Sequence, residues 1–486
     1  AIRDYNAEKG TAIESLALVT KPDSNAPFAR EADHAIDLEI PAGKGGAAAY
    51  LNVEPMIEAI LAAGADAVWV GWGFVAEDAE FAQRVNDAGL VFIGPPPSAM
   101  RLAGDKVAAK KLAESAGVPV VPWSGEALAD VDAVREVAGR IGFPLVLKAS
   151  AGGGGRGIRR VDEASALEEA FLSATREAVN AFGDGRVFVE RCVERARHLE
   201  VQVAVDHEGT PHAFGVRDCT IQRRNQKVIE EAPGPHTTEE LSQSLEAHAL
   251  AFASAAGYIN VGTVEFIYDL DLDQPYFMEM NTRLQVEHTI TELIYGIDLV
   301  KLQIDIARQQ ELRDLPTSLR GYAIEVRVNA EDPDKGFAPS PGEIVRFSAP
   351  QGPGIRIDSG VCEGFTIPPD FDSNIAKIIS WGANRNECIA RLRRALMETA
   401  LIVRGGATNK AFLSALLQND EVISAKLDTG WLDRKTRAEA FANRPFAAEA
   451  LLAGGVLAYR SEYSAHEANF YAAASRGVPQ TLPESE

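Results

Sequence analysis

The stretch from Phe277 to His288 constrains this chain more than any other segment of similar length. It begins like a buried β-strand, yet it carries carboxylates, amides, an arginine and a histidine at Glu279, Asn281, Arg283, Gln285, Glu287 and His288. Burying that many polar groups costs several kcal/mol unless each one finds a partner. The pattern therefore predicts a site at which a metal ion, phosphate and a proton acceptor meet.

A predicted β-hairpin supplies the first part of this site. Two runs, 262–269 and 274–281, flank the short segment 270–273, so that Glu265 is expected to lie opposite Glu279. Directly paired residues share one face of a sheet, and Asn281 shares it because it lies two residues beyond Glu279. Two carboxylates about 5 Å apart repel by about 3 kcal/mol at an effective dielectric constant near 20. A divalent cation with oxygen ligands, such as Mg²⁺, removes that cost. The alternative is a surface carboxylate pair separated by a register slip.

Composition excludes several other classes of protein. The chain has 486 residues and a formal net charge of −22, which argues against general binding to nucleic acid or anionic membranes. A local basic segment, containing Arg217, Arg223, Arg224 and Lys227, remains able to bind a small anion. The four cysteines are far apart and form no zinc motif, and no apolar run reaches membrane-spanning length. A cytoplasmic protein with reduced thiols is the expectation.

Strands and helices alternate from Ile13 to Gly94, which predicts a parallel sheet covered on both faces. Residues 94–97, Gly-Pro-Pro-Pro, end this part. Asp105 is then predicted to cap a helix that runs to Ser115. This helix start and Lys106 together can hold an anion, and the alternative is an exposed lysine. The first ten residues are typical of the end of a helix stopped by Gly10, which favours a fragment of a longer protein.

A glycine-rich run, Lys148-Ala-Ser-Ala-Gly-Gly-Gly-Gly-Arg-Gly157, lies between the predicted strands 144–148 and 157–161. Consecutive glycines let backbone N–H groups approach phosphate oxygens without interference from a Cβ. It matches neither a P-loop nor a dinucleotide fingerprint. We interpret it as a hairpin lid over a triphosphate; a flexible linker is the alternative.

Two further clusters of charge bear on the chemistry. The segment 222–231 could bind an oxyanion through Lys227 and its arginines, although by itself a solvated strand of mixed charge explains it better. Glu287 follows Arg283 by four residues and could act as a general base, while an arginine could stabilise developing negative charge. Arg327 lies in a later strand pattern. Structural ion pairing is the competing explanation.

Five segments together resemble biotin carboxylase, the ATP-grasp component of biotin-dependent carboxylases. They are Gly104-Asp-Lys106, Lys148–Gly157, Arg217-Asp-Cys-Thr-Ile-Gln-Arg-Arg-Asn-Gln-Lys227, Glu279-Met-Asn-Thr-Arg-Leu-Gln-Val-Glu-His288 and Arg327-Val-Asn-Ala-Glu-Asp-Pro333. The likeness extends to about residue 432. It implies an α/β and α+β architecture: an ATP-grasp fold with an N-terminal Rossmann-like domain, a mobile glycine-loop lid and a C-terminal biotin carboxylase domain.

The resemblance also implies domain boundaries. They are an N-terminal domain at residues 1–97 that lacks its first strand, a linker helix at 98–119, a lid subdomain at 120–192, the ATP-grasp core with the C-terminal domain at 193–432, and a helical extension at 433–486 toward further domains.

The implied reaction uses ATP, Mg²⁺ or Mn²⁺, and bicarbonate to form carboxyphosphate, whose CO₂ carboxylates biotin on a carrier domain. Residues implied to contact ATP are Lys106, Lys148, Gly154, Gly155, Glu190, Cys192, Val193, His198, Gln222, Asn225, Glu265 and Glu279. Those implied to hold the metal are Glu265, Glu279 and Asn281. Residues implied to bind bicarbonate and biotin are Lys227, Arg283, Gln285, Val286 and Arg327. The implied catalytic set is Arg283, Glu287, Lys227 and Arg327, with Glu287 as the base for bicarbonate.

Departures from the family pattern refine the expectation. Asn225 replaces a histidine found in many relatives, and Trp69-Val-Gly-Trp-Gly-Phe74 replaces the usual His-Pro-Gly-Tyr-Gly-Phe. Both features resemble those of acyl-CoA carboxylases, and the Trp69–Phe74 motif is similar to that of the large single-chain type. Carrier and carboxyltransferase domains in the same polypeptide and a homo-oligomer are therefore expected. The alternatives are another ATP-grasp ligase similar to carbamoyl-phosphate synthase, or a nucleotide-binding module without turnover.

Overall fold

The computed structural model describes residues 1–150, 158–313, 315–438 and 447–478. Two compact units divide the chain, Ala1–Ala440 and Phe441–Glu486, and each is described by itself.

The first part of the larger unit alternates short strands and helices, as predicted. Both strand pairs, β1 with β2 and β3 with β4, are parallel. Helices α3 and α4 bury Met56, Ile60, Phe81 and Val85 against these strands, because their apolar residues recur every three to four positions. The elements are α1 (Ile2–Lys9), β1 (Leu16–Val19), α2 (Pro27–Glu31), β2 (His34–Asp37), α3 (Val53–Ala62), β3 (Ala67–Val68), α4 (Ala79–Asp87) and β4 (Val91–Phe92).

Two helices, α5 (Pro97–Gly104) and α6 (Lys106–Ser115), lead away from this sheet. Asp105 caps α6 as predicted, because its carboxylate accepts hydrogen bonds from the backbone N–H groups of Val107 and Ala108. The Lys106 N–H donates to the carbonyl of Ser150, 3.0 Å away. The start of α6 therefore lies beside Ser150, the third residue of the glycine-rich run.

A smaller antiparallel sheet follows, in the order β6-β5-β7. Strands β5 and β6 flank residues 151–157, which confirms that hairpin strands border the glycine-rich run. Helix α7, absent from the sequence prediction, packs with α8 over the sheet through Val134, Val137 and Phe171. The elements are α7 (Val131–Ile141), β5 (Leu145–Ala149), β6 (Ile158–Val161), α8 (Leu167–Phe182) and β7 (Val187–Arg191).

An eight-stranded antiparallel sheet, in the order β12-β11-β8-β9-β10-β13-β18-β17, forms the centre of the larger unit. Its strands are β8 (Ala196–Val205), β9 (Pro211–Arg223), β10 (Gln226–Ala232), β11 (Asn260–Asp269), β12 (Gln274–Asn281), β13 (Tyr322–Asn329), β17 (Ile355–Ser359) and β18 (Asn374–Gly382). Around it lie α9 (Glu239–Ala255), α10 (His288–Tyr295), α11 (Leu299–Ala307), β14 (Glu331–Asp332), β15 (Ala338–Pro339), β16 (Glu343–Ser348), α12 (Arg385–Glu398), β19 (Ala400–Arg404), α13 (Lys410–Leu416), α14 (Asp420–Ile423) and α15 (Trp431–Ala438).

Strand β8 shows how this sheet orients its polar residues. Leu199, Val201 and Val203 belong to an apolar core that includes Phe252 of α9. The residues that alternate with them are His198, Glu200 and Gln202, and all ten residues of the strand are buried. Since successive side chains of a strand point to opposite faces, one face of the sheet packs on α9 and the other presents buried polar groups.

The smaller unit contains one described helix, α16 (Ala447–Ala474). Its apolar side chains, including Leu451, Leu452 and Leu457, are exposed. In the described part of the chain, no helix combines the length and apolar character needed to cross a membrane.

Candidate active site

Lys227 of β10 lies at the centre of the polar face. Its ammonium donates to three carboxylates: Glu200 at 2.6 Å, Glu265 at 2.9 Å and Glu287 at 2.5 Å. Burial favours the neutral amine, but these three negative charges raise the pKa of Lys227 well above its ordinary value. The lysine is therefore a fixed positive charge that joins β8, β11 and the segment before α10.

The hairpin places its two carboxylates as predicted. Glu265 of β11 pairs directly with Glu279 of β12, and Asn281 pairs with Thr263 on the same two strands. Glu265 also accepts a hydrogen bond from Gln285 Nε2 at 2.8 Å. The register then shifts, because Phe266 pairs with Phe277 and Met278 becomes the extra residue of a β-bulge.

These residues suit a hard divalent cation. The amide oxygen Oδ1 of Asn281 accepts one long hydrogen bond, from Arg283 NH2 at 3.4 Å, and an amide oxygen has a second lone pair with which to bind a cation. Glu279 forms an ion pair with Lys106 of α6, whereas Glu265 has Lys227. Two carboxylates and an amide offer the oxygen ligands that Mg²⁺ prefers.

A different group of ligand atoms, on His198, Glu200 and Glu265, lies within 4.8 Å of one another. The ammonium of Lys227 already contacts both carboxylates of that group. Lysines also contact Glu265 and Glu279, so these contacts do not distinguish the two groups. The Glu265 and Glu279 pair is the one that the hairpin register predicts.

Arg217 of β9 organises the floor of the cluster. Its side chain is fully buried and donates to Glu200 Oε1 at 2.5 Å and Gln285 Oε1 at 3.1 Å. It also donates to Gln202, Thr263 and Thr291. One guanidinium thus fixes side chains from β8, β11, α10 and the loop that precedes α10, as its five N–H donors allow.

Glu287 lies between two cations. Its Oε1 accepts from Lys227, and its Oε2 accepts from Arg327 NH2 at 3.0 Å. Burial alone raises the pKa of a carboxyl group, but Lys227 and Arg327 lower the pKa of Glu287 well below its ordinary value. It is therefore ionised at neutral pH, as a proton acceptor must be.

Arg283 has a different partner from the one that sequence spacing suggested. Its Nε lies 3.0 Å from Glu77 Oε2, and Glu77 Oε1 accepts from the Thr282 N–H at 3.3 Å. Among the described ion pairs, Glu287 is joined to Lys227 and Arg327 rather than to Arg283. Structural pairing of Arg283 with Glu287, the competing explanation, is not found among the described ion pairs, because Glu77 of the N-terminal part contacts the arginine.

The whole chain can now be compared with known proteins. Three family models match it: Biotin carboxylase, N-terminal domain, at residues 1–100; Carbamoyl-phosphate synthase L chain, ATP binding domain, at 105–315; and Biotin carboxylase C-terminal domain, at 325–434. Biotin carboxylase 1 of Bacillus subtilis is 40% identical over 89% of this chain and 96% of its own length. This chain belongs to the biotin carboxylase family.

Other relatives widen the picture of this biotin carboxylase homologue. A pyruvate carboxylase subunit of Methanothermobacter thermautotrophicus is 43% identical over 90% of this chain and 88% of its own. The crystal structure of a biotin carboxylase–ATP complex from Campylobacter jejuni matches with a TM-score of 0.84 and 38% identity, over 89% of this chain and 95% of that one. The fold is accordingly the ATP-grasp fold of biotin carboxylases, as predicted.

Glu190 of β7 marks a second cluster, on the three-stranded sheet β6-β5-β7. It is ion-paired with Lys148, and with Lys110 at 2.9 Å. Burial raises the pKa of a carboxyl group, but these two ammonium groups lower the pKa of Glu190 to about 2. Lys148 therefore lies beside a carboxylate, with Lys110 as a neighbour that the sequence prediction missed. Gly154 and Gly155 lie outside the described residues.

The remaining predicted nucleotide-contacting residues are placed in two groups. His198 and Gln222 are buried on the polar face, with His198 Nε2 3.2 Å from Glu265 Oε2. Cys192 and Val193 are partly buried in the segment after β7, and Asn225 is exposed in the β9–β10 turn. Asn225 has a φ of 64°, a left-handed conformation that asparagine tolerates better than most residues.

Several site residues were missed by sequence reasoning: Glu77, Lys110, Glu200, Glu230 and Lys377. For Glu200, a signal was present, since His198, Glu200 and Gln202 alternate with apolar residues. Lys377 of β18 donates to the Val286 carbonyl from the opposite side of the site. No local pattern identifies such a residue, because its partner lies about 90 residues away in the chain.

Proposed function

We propose that this chain carboxylates biotin, using ATP and bicarbonate by way of carboxyphosphate. The observation that carries the proposal is the contact of Lys227 with Glu200, Glu265 and Glu287. This contact joins the proposed cation site to the proposed base through one buried ammonium. Family membership supports the same reaction.

Glu265, Glu279 and Asn281 would hold the magnesium ion. When bound, the ion would neutralise the charge on the nucleotide phosphates. Lys106 and Lys148, which now pair with Glu279 and Glu190, are proposed to contact those phosphates. Both lysines are partly exposed, and each ammonium contacts a carboxylate. Each can therefore exchange that carboxylate partner for a phosphate oxygen when the nucleotide binds.

Glu287 is the proposed base for bicarbonate. Its ionised carboxylate, held between Lys227 and Arg327, is ready to accept a proton. The guanidinium of Arg283 and the side chain of Gln285 are proposed to orient the bicarbonate, with Arg283 also stabilising negative charge on biotin. Because its pKa is low, Glu287 is a weak base. Part of the rate enhancement must therefore come from holding the bicarbonate close to this carboxylate.

The reaction can be tested on the purified chain with free biotin. We expect ATP cleavage that depends on bicarbonate and is stimulated by biotin. A ligase similar to carbamoyl-phosphate synthase would show no biotin stimulation, and a nucleotide-binding module would bind ATP without cleaving it. Either result would refute the proposal. Carboxylation of biotin is favoured over these two alternatives because the biotin carboxylase family models match the chain on both sides of the ATP-binding segment.

The cation site yields a separate prediction. Glu279→Gln is expected to weaken ATP binding in the presence of Mg²⁺ by about 10-fold or more, equivalent to about 1.4 kcal/mol, because a carboxylate ligand is lost. ATP binding in the presence of EDTA should change much less. Calorimetric titration under both conditions measures the difference. Equal effects with and without Mg²⁺ would contradict the metal role.

Glu77 provides another prediction, because it anchors Arg283 from the N-terminal part. Glu77→Gln is expected to lower bicarbonate-dependent ATP cleavage about 10-fold, equivalent to about 1.4 kcal/mol, through loss of the arginine's orientation. Steady-state kinetics at varied bicarbonate measures it. Glu54→Gln is the matched control, since Glu54 is joined to Arg84 at 2.7 Å in the same part of the chain. Equal activity of the two variants would remove Glu77 from the site.

The larger assembly belongs to the same proposal. We infer that the complete protein is an acyl-CoA carboxylase of the single-chain type, with carrier and carboxyltransferase domains in the same polypeptide. We also infer that it forms a homo-oligomer and is located in the cytoplasm. The support is the Trp69–Phe74 variant motif noted above. Relatives include an acyl-coenzyme A carboxylase alpha3 subunit of Mycobacterium leprae, 41% identical, and pyruvate carboxylases. The measurement is which acceptor, an acyl-CoA or pyruvate, consumes carboxybiotin in the complete protein.

A further inference from the structure

Two glutamates to which the proposed reaction assigns no step are paired on neighbouring strands of the central sheet. Glu230 of β10 pairs directly with Glu325 of β13 in an antiparallel ladder, so both side chains lie on the same face. Neither has any exposed surface. Two buried carboxyl groups at directly paired positions repel if both are ionised.

Each of the two carboxyl groups has one satisfied and one unsatisfied oxygen. Glu230 Oε1 accepts from Arg327 Nε at 2.6 Å, and Glu325 Oε2 accepts from the Thr289 hydroxyl. Glu230 Oε2 and Glu325 Oε1 are buried and have no hydrogen-bond partner among the described residues. Unpaired buried acceptors are rare in folded proteins, and a single hydrogen between these two groups would satisfy both.

Each of the two cations beside this pair also has another partner. Arg327 is shared with Glu287, whose Oε2 lies 3.0 Å from its NH2. Lys377 lies 3.6 Å from Glu325 but donates its hydrogen bond to the Val286 carbonyl. Other charged and titratable groups near the pair are Glu287, which also contacts Lys227, Asp358 of β17, which lies 3.6 Å from Lys377 and also contacts Arg356, and Cys219 on β9.

The electrostatics agree with this geometry. Burial, reinforced by Glu325 and Glu287, raises the pKa of Glu230 to about 8 despite Arg327. Burial also raises the pKa of Glu325, although Lys377 opposes the effect. Repulsion between the two carboxylates disfavours ionising both, so the charge on Glu325 contributes to the raised pKa of Glu230.

We propose that Glu230 and Glu325 hold one proton between them, as a hydrogen-bonded pair of one carboxylic acid and one carboxylate. The shared proton keeps the negative charge beside Arg327 low, so that its guanidinium bridges to Glu287. When the pair loses this proton, the added charge draws Arg327 away from Glu287. Glu230 is then a positioning residue, and this second step rests on the proposed function.

The shared proton itself can be detected without measuring activity. The infrared spectrum should contain a carboxylic acid C=O band at neutral pH that is lost in Glu230→Gln and in Glu325→Gln. Either variant is sufficient if the other fails to fold. Glu231→Gln is the control, because Glu231 is also buried but ion-paired with Arg385, and it should leave the band in place. Persistence of the band in both pair variants, or its absence from the unaltered chain, would overturn the proposal.

Stability gives a second readout with a fixed sign. Because the folded chain binds a proton that the unfolded chain releases above an ordinary glutamate pKa of about 4.3, stability falls as pH rises from there toward about 8. Glu230→Gln removes this contribution, so its Tm should decline less over that interval than the Tm of the unaltered chain. Identical declines would overturn the proposal.

The positioning role is tested by the pH profile of bicarbonate-dependent ATP cleavage. The unaltered chain should lose activity above about pH 8, and Glu230→Gln should retain it to a higher pH, because glutamine imitates the protonated acid. The same alkaline loss in both chains would overturn the role of Glu230. An unaltered chain with the infrared band but no bicarbonate-dependent cleavage would refute the proposed function alone.

Discussion

Replacing Glu287 with glutamine is expected to lower bicarbonate-dependent ATP cleavage by about 10²- to 10⁴-fold, the usual contribution of a positioned proton acceptor. Glutamine keeps the size of the side chain but cannot accept the proton. ATP should still bind, because the contacts of Glu287 are to Lys227 and Arg327 and not to Lys106 or Lys148. Initial-rate kinetics measures the loss, and calorimetric titration with ATP and Mg²⁺ measures the binding.

A matched control lies five residues further along the chain. Glu292 is also buried and accepts hydrogen bonds from Arg356 at 2.6 Å and the Leu299 N–H at 2.8 Å. Glu292→Gln should therefore leave bicarbonate-dependent turnover close to that of the unaltered chain at temperatures at which it is folded. Turnover by Glu287→Gln at the same rate as this control would refute the role of Glu287 as the base.

Replacing Arg217 with methionine should have the largest effect on stability, lowering the free energy of unfolding by about 3–5 kcal/mol. Methionine can fill much of the volume, but Glu200 loses its 2.5 Å partner and Gln202 loses its 2.6 Å partner inside the protein. A buried carboxylate that has lost a cation is costly even though Lys227 remains beside it. Urea unfolding followed by circular dichroism measures the change.

The comparison for Arg217 is an arginine at the surface. Arg195 pairs with Asp271 at 2.8 Å, and both side chains are more than half exposed. Arg195→Met is expected to change the free energy of unfolding by less than about 1 kcal/mol, because solvent screens the pair. If Arg217→Met cost no more than Arg195→Met, the guanidinium would not be organising the cluster.

The hairpin shows what local patterns can predict. A four-residue connection between two apolar runs fixed the expected pairing of Glu265 with Glu279, and the structure has that pairing. The same patterns did not reveal the bulge at Met278. A bulge depends on how the strand bends against its neighbours, and the alternation of side chains in the sequence carries no sign of it.

Arg283 and Glu287 show where such patterns fail. Their spacing left a structural ion pair open as the competing explanation, but Glu77 contacts the arginine, and Lys227 and Arg327 contact the glutamate. The contact between Glu77 and Arg283 spans about 200 residues of sequence. A choice among several possible charged partners depends on which strands and loops are neighbours in space.

The amino-acid sequence by itself determined the family, the paired carboxylates of the hairpin and the helix cap at Asp105. These features depend on short-range periodicity and on motifs whose residues lie close together in the chain. Only the tertiary structure decided the partners of Lys227, the burial of Arg217 and the facing of Glu230 and Glu325. Each of these depends on the order of strands in the central sheet, which brings distant charges into a space from which water is largely excluded.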